Sequence, residues 1–211
     1  CSGNTAPHPA SAATPPPSPL ALLPPPLLVS AALPVTTLAA EHCGALARAS
    51  PVRASALLAT MLALLQSPSA VVAAMSAPFL AQMPRDRQLL LRFMTAENLQ
   101  IVLRRCAELL VRGLPHPYDR VALDLADDRA EFFASLRSNL WHAVRAIAPS
   151  FPDACAELLL ARTAFVLRTF DAGAAAAAAA AAGGVLRPDS EVVLQHDSLA
   201  PLAESVLQGL S

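Results

Sequence analysis

The sequence predicts an all-α protein of short, stacked helices, and three observations carry that reading. Apolar residues, mainly Ala and Leu, make up 55% of the 211 positions, while aromatics make up only 4%. Ala and Leu are strong helix formers, whereas strands favour the aromatic and β-branched residues that are scarce here. From Thr37 onward, apolar residues recur every three or four positions. Ser, Thr, Pro and Gly punctuate those runs where helices are expected to start and stop.

Taken in order, residues 1–35 read as a Pro/Ala-rich disordered linker or insertion, with Pro15-Pro16-Pro17 and Pro24-Pro25-Pro26. Proline lacks an amide donor and disfavours helix at the preceding residue. Residues 36–211 then read as helical repeats. Thr36 or Thr37 is placed to cap a helix to about Ala47. Ser50-Pro51 opens a second, whose apolar face is Val52, Leu57, Leu58, Met61, Leu62 and Leu65. Ser67-Pro68 repeats that grammar for a third helix, ended or kinked at Pro78, and a short amphipathic piece follows from Asp86 to Phe93. Thr95 caps a helix with the stripe Leu99, Val102, Leu103, Cys106 and Leu110, stopped at Gly113. Asp127 is expected to cap the next, with the stripe Phe133, Leu136, Leu140, Val144 and Ile147. Ser150 and Pro152 start another, running to about Asp171 and ending at Gly173. The poly-Ala stretch within 172–186 reads as a loop insertion, and a last helix runs from about Asp197 to Leu210, with Pro201 near its first turn. One amphipathic pair cannot bury its own face, so such pairs must stack into a continuous core. Without strict periodicity, the pattern suits a HEAT-like helical-repeat solenoid and not a regular ankyrin or tetratricopeptide array.

Charge and motifs exclude more than they assign. The 15 basic residues are all Arg and face 16 acidic ones, a formal charge of −1 with no global pull toward nucleic acid or acidic membranes. No phosphate-binding glycine loop, nucleophile elbow or H-E-x-x-H motif occurs. His8, His42, His116, His142 and His196 are scattered. Cys43, Cys106 and Cys155 lie far apart, with no ligand spacing for a metal, and read as small buried residues. The expectation is a protein with no catalytic centre, metal or cofactor. Ala54 to Pro84 carries no formal charge, but Gln66-Ser67-Pro68-Ser69 and Pro78 divide it into lengths suited to buried soluble helices, so no membrane insertion is expected. Residue 1 is Cys, which suggests an excerpt or a processed product. Cys1-Ser2-Gly3-Asn4 before a Pro-rich tether also fits a lipid-anchored bacterial lipoprotein, kept as an alternative.

Two charged groups are the candidate contact residues. Asp124, Asp127, Asp128 and Glu131 form the densest acidic cluster; at a helix start they stabilise its positive end, and they can also meet a basic partner. Arg104, Arg105 and Arg112 on one helix, with Arg129, Arg137 and Arg145 eight apart on another, can line a surface that tracks phosphates or a solvated outer face.

Asp119 and the run Leu123-Asp124-Leu125-Ala126-Asp127-Asp128-Arg129-Ala130-Glu131-Phe132-Phe133-Ala134-Ser135-Leu136-Arg137 resemble the acidic segment and Phe-Phe helix of the exportin-five (HASTY-type) nuclear export receptors, members of the importin-β (karyopherin) superfamily. Leu167-Arg168-Thr169-Phe170-Asp171-Ala172-Gly173 is similar to the end of that family's next repeat. Val193-Leu194-Gln195-His196-Asp197-Ser198-Leu199 and Leu202-Ala203-Glu204-Ser205-Val206-Leu207 resemble the helix after it, although His196-Asp197 stands where Trp-Glu is expected. Leu64-Leu65-Gln66-Ser67-Pro68-Ser69 resembles an earlier corner. The resemblance implies a central segment of a receptor shuttling between nucleus and cytoplasm. It would bind structured double-stranded RNA, such as precursor microRNA or transfer RNA, together with Ran-GTP, and pass nucleoporins. The energy source would be Ran, so no nucleotide loop is expected in this chain. A HEAT-type protein-interaction adaptor without Ran dependence is the alternative reading.

Overall fold

In the computed structural model residues 24–111, 114, 116–179 and 191–210 are described. Their regular elements are α1 (Pro25–Ala49), α2 (Pro51–Leu65), α3 (Ala70–Ala74), α4 (Ala77–Gln82), a 3-10 turn (Met83–Arg85), α5 (Arg87–Phe93), α6 (Ala96–Leu109), α7 (Pro117–Ala122), α8 (Ala126–Ile147), α9 (Pro152–Ala179) and α10 (Glu191–Leu210). Among the described residues no strand occurs, as the composition predicts.

Local chemistry explains most starts. The Thr95 hydroxyl accepts the Asn98 amide at 3.2 Å, and Asp86 accepts from Gln88 and Leu89 at 3.1 and 3.0 Å, so both cap their helices. Pro51 opens α2, where a missing amide removes no helical bond, though the Ser50 side chain makes no cap bond. Ser69, not Ser67, caps α3, through the Val72 amide at 3.2 Å.

Several boundaries differ from expectation. Helix α1 begins at Pro25 rather than near Thr37, so the linker assigned to 1–35 stops short of it; residues 1–23 lie outside the described part. Pro25 and Pro26 occupy the first turn, where proline is harmless, and Pro34 is carried inside the helix. Thr36 and Thr37 lie mid-helix and donate their hydroxyls to the Leu33 carbonyl. Val52, expected on the apolar face of α2, is exposed, while Ala54 and Leu64 join Leu58, Met61 and Leu65 in the core. Pro78 sits in the first turn of α4 and so starts a helix instead of ending one. Helix α7 was not anticipated, and Leu125, not Asp127, holds the cap position of α8. Helix α9 runs through Gly173 to Ala179, because one glycine costs about 1 kcal/mol against a following run of the best helix former. The rest of the expected 172–186 loop lies outside the described residues. Helix α10 starts at Glu191, which places Pro201 well inside it.

The helices pack in two rows. In one, α1 lies on α4, α4 on α8, and α8 on α10; in the other, α2 lies on α6 and α6 on α9. Contacts of α1 with α2 and of α9 with α10 join the rows. Between them Phe79, Met61, Leu65, Leu80, Met83, Leu90, Leu140 and Ile147 are fully buried. Each such side chain contributes about 1.5–3 kcal/mol relative to exposure. Phe79 and Phe93 meet edge to face at 6.3 Å. Gly209 permits the closest approach: a Cβ there would lie 2.6 Å from the Arg145 carbonyl oxygen of α8.

The uncharged stretch from Ala54 to Pro84 is divided among α2, α3, α4 and the 3-10 turn. Helix α1 is long and apolar enough, by length and composition, to cross a membrane, and it packs through Leu28, Thr36 and Ala39.

Candidate functional site

Helix α8 turns its expected stripe, Phe133, Leu136, Leu140, Val144 and Ile147, into the core. Beside that stripe, where α8 runs along α3, α4 and the 3-10 turn, the surface forms a trough in two adjoining parts. The first encloses about 450 Å³ over an apolar floor that includes Val71, Met75, Pro78 and Phe132, with Asp128 and Glu131 at its rim. The second encloses about 520 Å³ and is lined by Gln82, Arg85, Ser138, His142 and Arg145. Asn139 borders both parts. From Asp128 to Ala146, at 1.5 Å per helical residue, the trough is about 27 Å long. It is acidic at the start of α8 and basic toward its end. The Arg145 guanidinium lies 5.0 Å from the centroid of the Trp141 ring, a cation–π contact that holds the basic end in place.

The expected acidic cluster is exposed throughout: Asp124, Asp127, Asp128 and Glu131 all face solvent. Asp127 and Asp128 lie in the first turn of α8, where they complement the helix dipole. Of the four, Asp128 and Glu131 line the trough.

The expected basic surface is broken up. Arg105 donates to the Leu65 carbonyl at 2.9 Å, to the Ser67 carbonyl, and to Glu108 at 2.8 Å. It therefore closes the C-terminal end of α2, whose last carbonyls have no helical partner. Arg137, 16% exposed, joins the Leu110 carbonyl at 3.1 Å to Asp197 at 2.7 Å, bridging the end of α6 to α10. Arg129 donates to the Leu123 carbonyl at 3.1 Å. Arg104, 82% exposed, pairs with Glu108 at 3.0 Å, and Arg145 stays exposed on Trp141. Arg112 lies outside the described residues. Burial alone would raise the Glu108 carboxyl, but hydrogen bonds from Arg105 and Arg104 and their charges outweigh it and hold its pKa below the ordinary value.

Two residues outside the expected acidic and basic contact groups are structurally prominent. Asp119, fully buried on α7, accepts the Ser69 hydroxyl at 2.5 Å, the Ala70 amide at 2.6 Å and the Val71 amide at 3.3 Å. It thereby ties α7 to the start of α3. Arg162 on α9 donates to Gln195 and reaches the Ser198 hydroxyl on α10 at 3.4 Å. The available signal was an acidic residue in a Pro-started turn, common to many solvated caps.

Among the described residues no group of three His, Cys, Asp or Glu side chains is placed to hold a metal. Burial pushes the Cys106 thiol up to about 12 and that of Cys155 up to about 11, so both stay protonated at neutral pH. Compared with family models, curated proteins and solved structures, the chain matches none.

Proposed function

We propose that this chain is a segment of a HEAT-like binding scaffold in a nuclear export receptor, carrying structured RNA with Ran-GTP from nucleus to cytoplasm. Its work is binding, not catalysis, and the energy source is the partner GTPase. The observation that carries the scaffold reading is the two-row packing, α1, α4, α8 and α10 beside α2, α6 and α9, with α1 on α2 and α9 on α10 joining the rows. The export reading adds the resemblance of the segment from Asp119 to Asp171. With Arg105 and Arg137 engaged internally and Arg145 at the basic end of the trough, the RNA contact falls to Arg104 among the described candidates. The test is binding of a labelled hairpin RNA to the chain in its full-length protein, with Ran-GTP, with Ran-GDP and without Ran. Tighter binding with Ran-GTP is expected, and Arg104→Ala should weaken it and flatten its salt dependence. Equal affinity under all three conditions overturns the export reading.

A second reading, a HEAT-type adaptor for proteins without Ran dependence, is favoured by one observation. The trough along α8 has an apolar floor and one acidic end, a surface that repels phosphate over part of its length.

A further inference from the structure

We propose that the trough along α8 is a docking groove for a peptide segment of a partner protein, with basic and aliphatic side chains toward one end and acidic ones at the other. This does not rest on the export reading, since the argument uses only the trough's own chemistry.

The floor supplies the apolar part. Met75 and Phe132 are partly exposed and Pro78 is exposed, so aliphatic side chains laid on them would remove apolar surface from water. The two ends supply complementary charge. Among the described residues no ion pair or hydrogen bond engages Asp128, Glu131 or Arg85, and Arg145 meets only the Trp141 face. These side chains therefore have capacity for a partner's charges that the fold itself does not use. Between the ends stand Ser135, Ser138 and Asn139, short polar groups of the kind that bond a peptide backbone. A trough about 27 Å long spans about eight residues of extended chain. An RNA strand, uniformly negative, would gain at the basic end and be repelled at the acidic one. A segment with opposite charges at its two ends gains at both.

The test uses the full chain and dye-labelled peptides long enough to span the trough, read by fluorescence anisotropy. One peptide carries Arg followed by Leu toward one end and Glu at the other; two controls keep the Leu and carry Glu at both ends or Arg at both ends. The mixed peptide should bind about fivefold more tightly than either control, because each control turns one rim attraction into a repulsion. Charge reversal by Asp128→Arg with Glu131→Arg should weaken the mixed peptide and favour the peptide with Glu at both ends. Should that variant fail to fold, Asp128→Asn with Glu131→Gln must still narrow the difference between the mixed peptide and the Glu-ended control. The proposal is overturned if the three peptides bind equally, if none saturates, or if the preference survives both substitutions. It is also overturned if hairpin RNA displaces the mixed peptide and loses affinity when Arg85 and Arg145 become Ala, which would mark a phosphate-binding surface instead.

Discussion

The charged residues between the helix rows and those along the α8 trough are the same few types, yet they do different work. Between the rows, Asp119 holds the amides that open α3, Arg105 the carbonyls that close α2, and Arg137 the Leu110 carbonyl beyond α6. Along the trough, Asp128, Glu131 and Arg85 point into solvent with no such partner among the described residues. The difference lies in neighbouring backbone. Asp119, Arg105 and Arg137 each face the end of another element, where unpaired amides or carbonyls demand partners, whereas no such end is bonded by Asp128, Glu131 or Arg85. A charge that meets a neighbouring element's end is therefore recruited into the fold, and one that faces solvent remains available for binding.

The largest effect that would break this distinction is at Asp119. Asp119→Ala leaves the Ser69 hydroxyl and two amides without their acceptor in a buried place, and should cost about 3 kcal/mol in urea unfolding. A loss under about 1 kcal/mol would mean that this buried pin is energetically no more than a rim contact. Next come neighbours on one helix. Arg105→Ala should cost about 1.5 kcal/mol and Arg104→Ala less than about 0.5, although both contact Glu108. Equal losses would remove the distinction between a brace and a surface pair.

The smallest effect concerns pH. Because the folded pKa of Glu108 lies below its ordinary value of 4.5, its contribution is fully present above about that pH. The contribution is lost as pH falls further, through the lowered folded value. Glu108→Gln should therefore flatten the stability curve on the acid side of pH 4.5 and leave its shape near neutrality unchanged. An unaltered acid limb would show that the two arginines do not hold this carboxylate in solution.

The same contrast explains how much could be read from the sequence. The stripes of α6 and α8 were legible residue by residue, and every apolar position assigned to them is buried, because helical periodicity is a local property. Caps at Thr95 and the opening Pro51 were legible for the same reason. The start of α1 was not, since a proline count argues against helix without showing that Pro25 and Pro26 fall in a first turn. The pin at Asp119 was not either, because its partner Ser69 lies 50 residues away and nothing local marks the pair. Arginine spacing placed Arg129, Arg137 and Arg145 roughly on one face, but could not show that a carbonyl would take up Arg137 while Arg145 rests on an indole. The trough needed three-dimensional placement, since its two walls are separated by α5, α6 and α7 in the chain.

Gly209 acts as a register key. A one-residue slip of α10 would bring the Cβ of Gln208 or Leu210 against the Arg145 carbonyl, so steric exclusion acts with the Arg137–Asp197 pair to set how α10 lies along α8. That carbonyl belongs to the residue whose side chain forms the basic end of the trough. The side of α8 facing away from the groove is thus clamped at the position where the groove must hold its shape, and an insertion upstream in α10 would be felt there first.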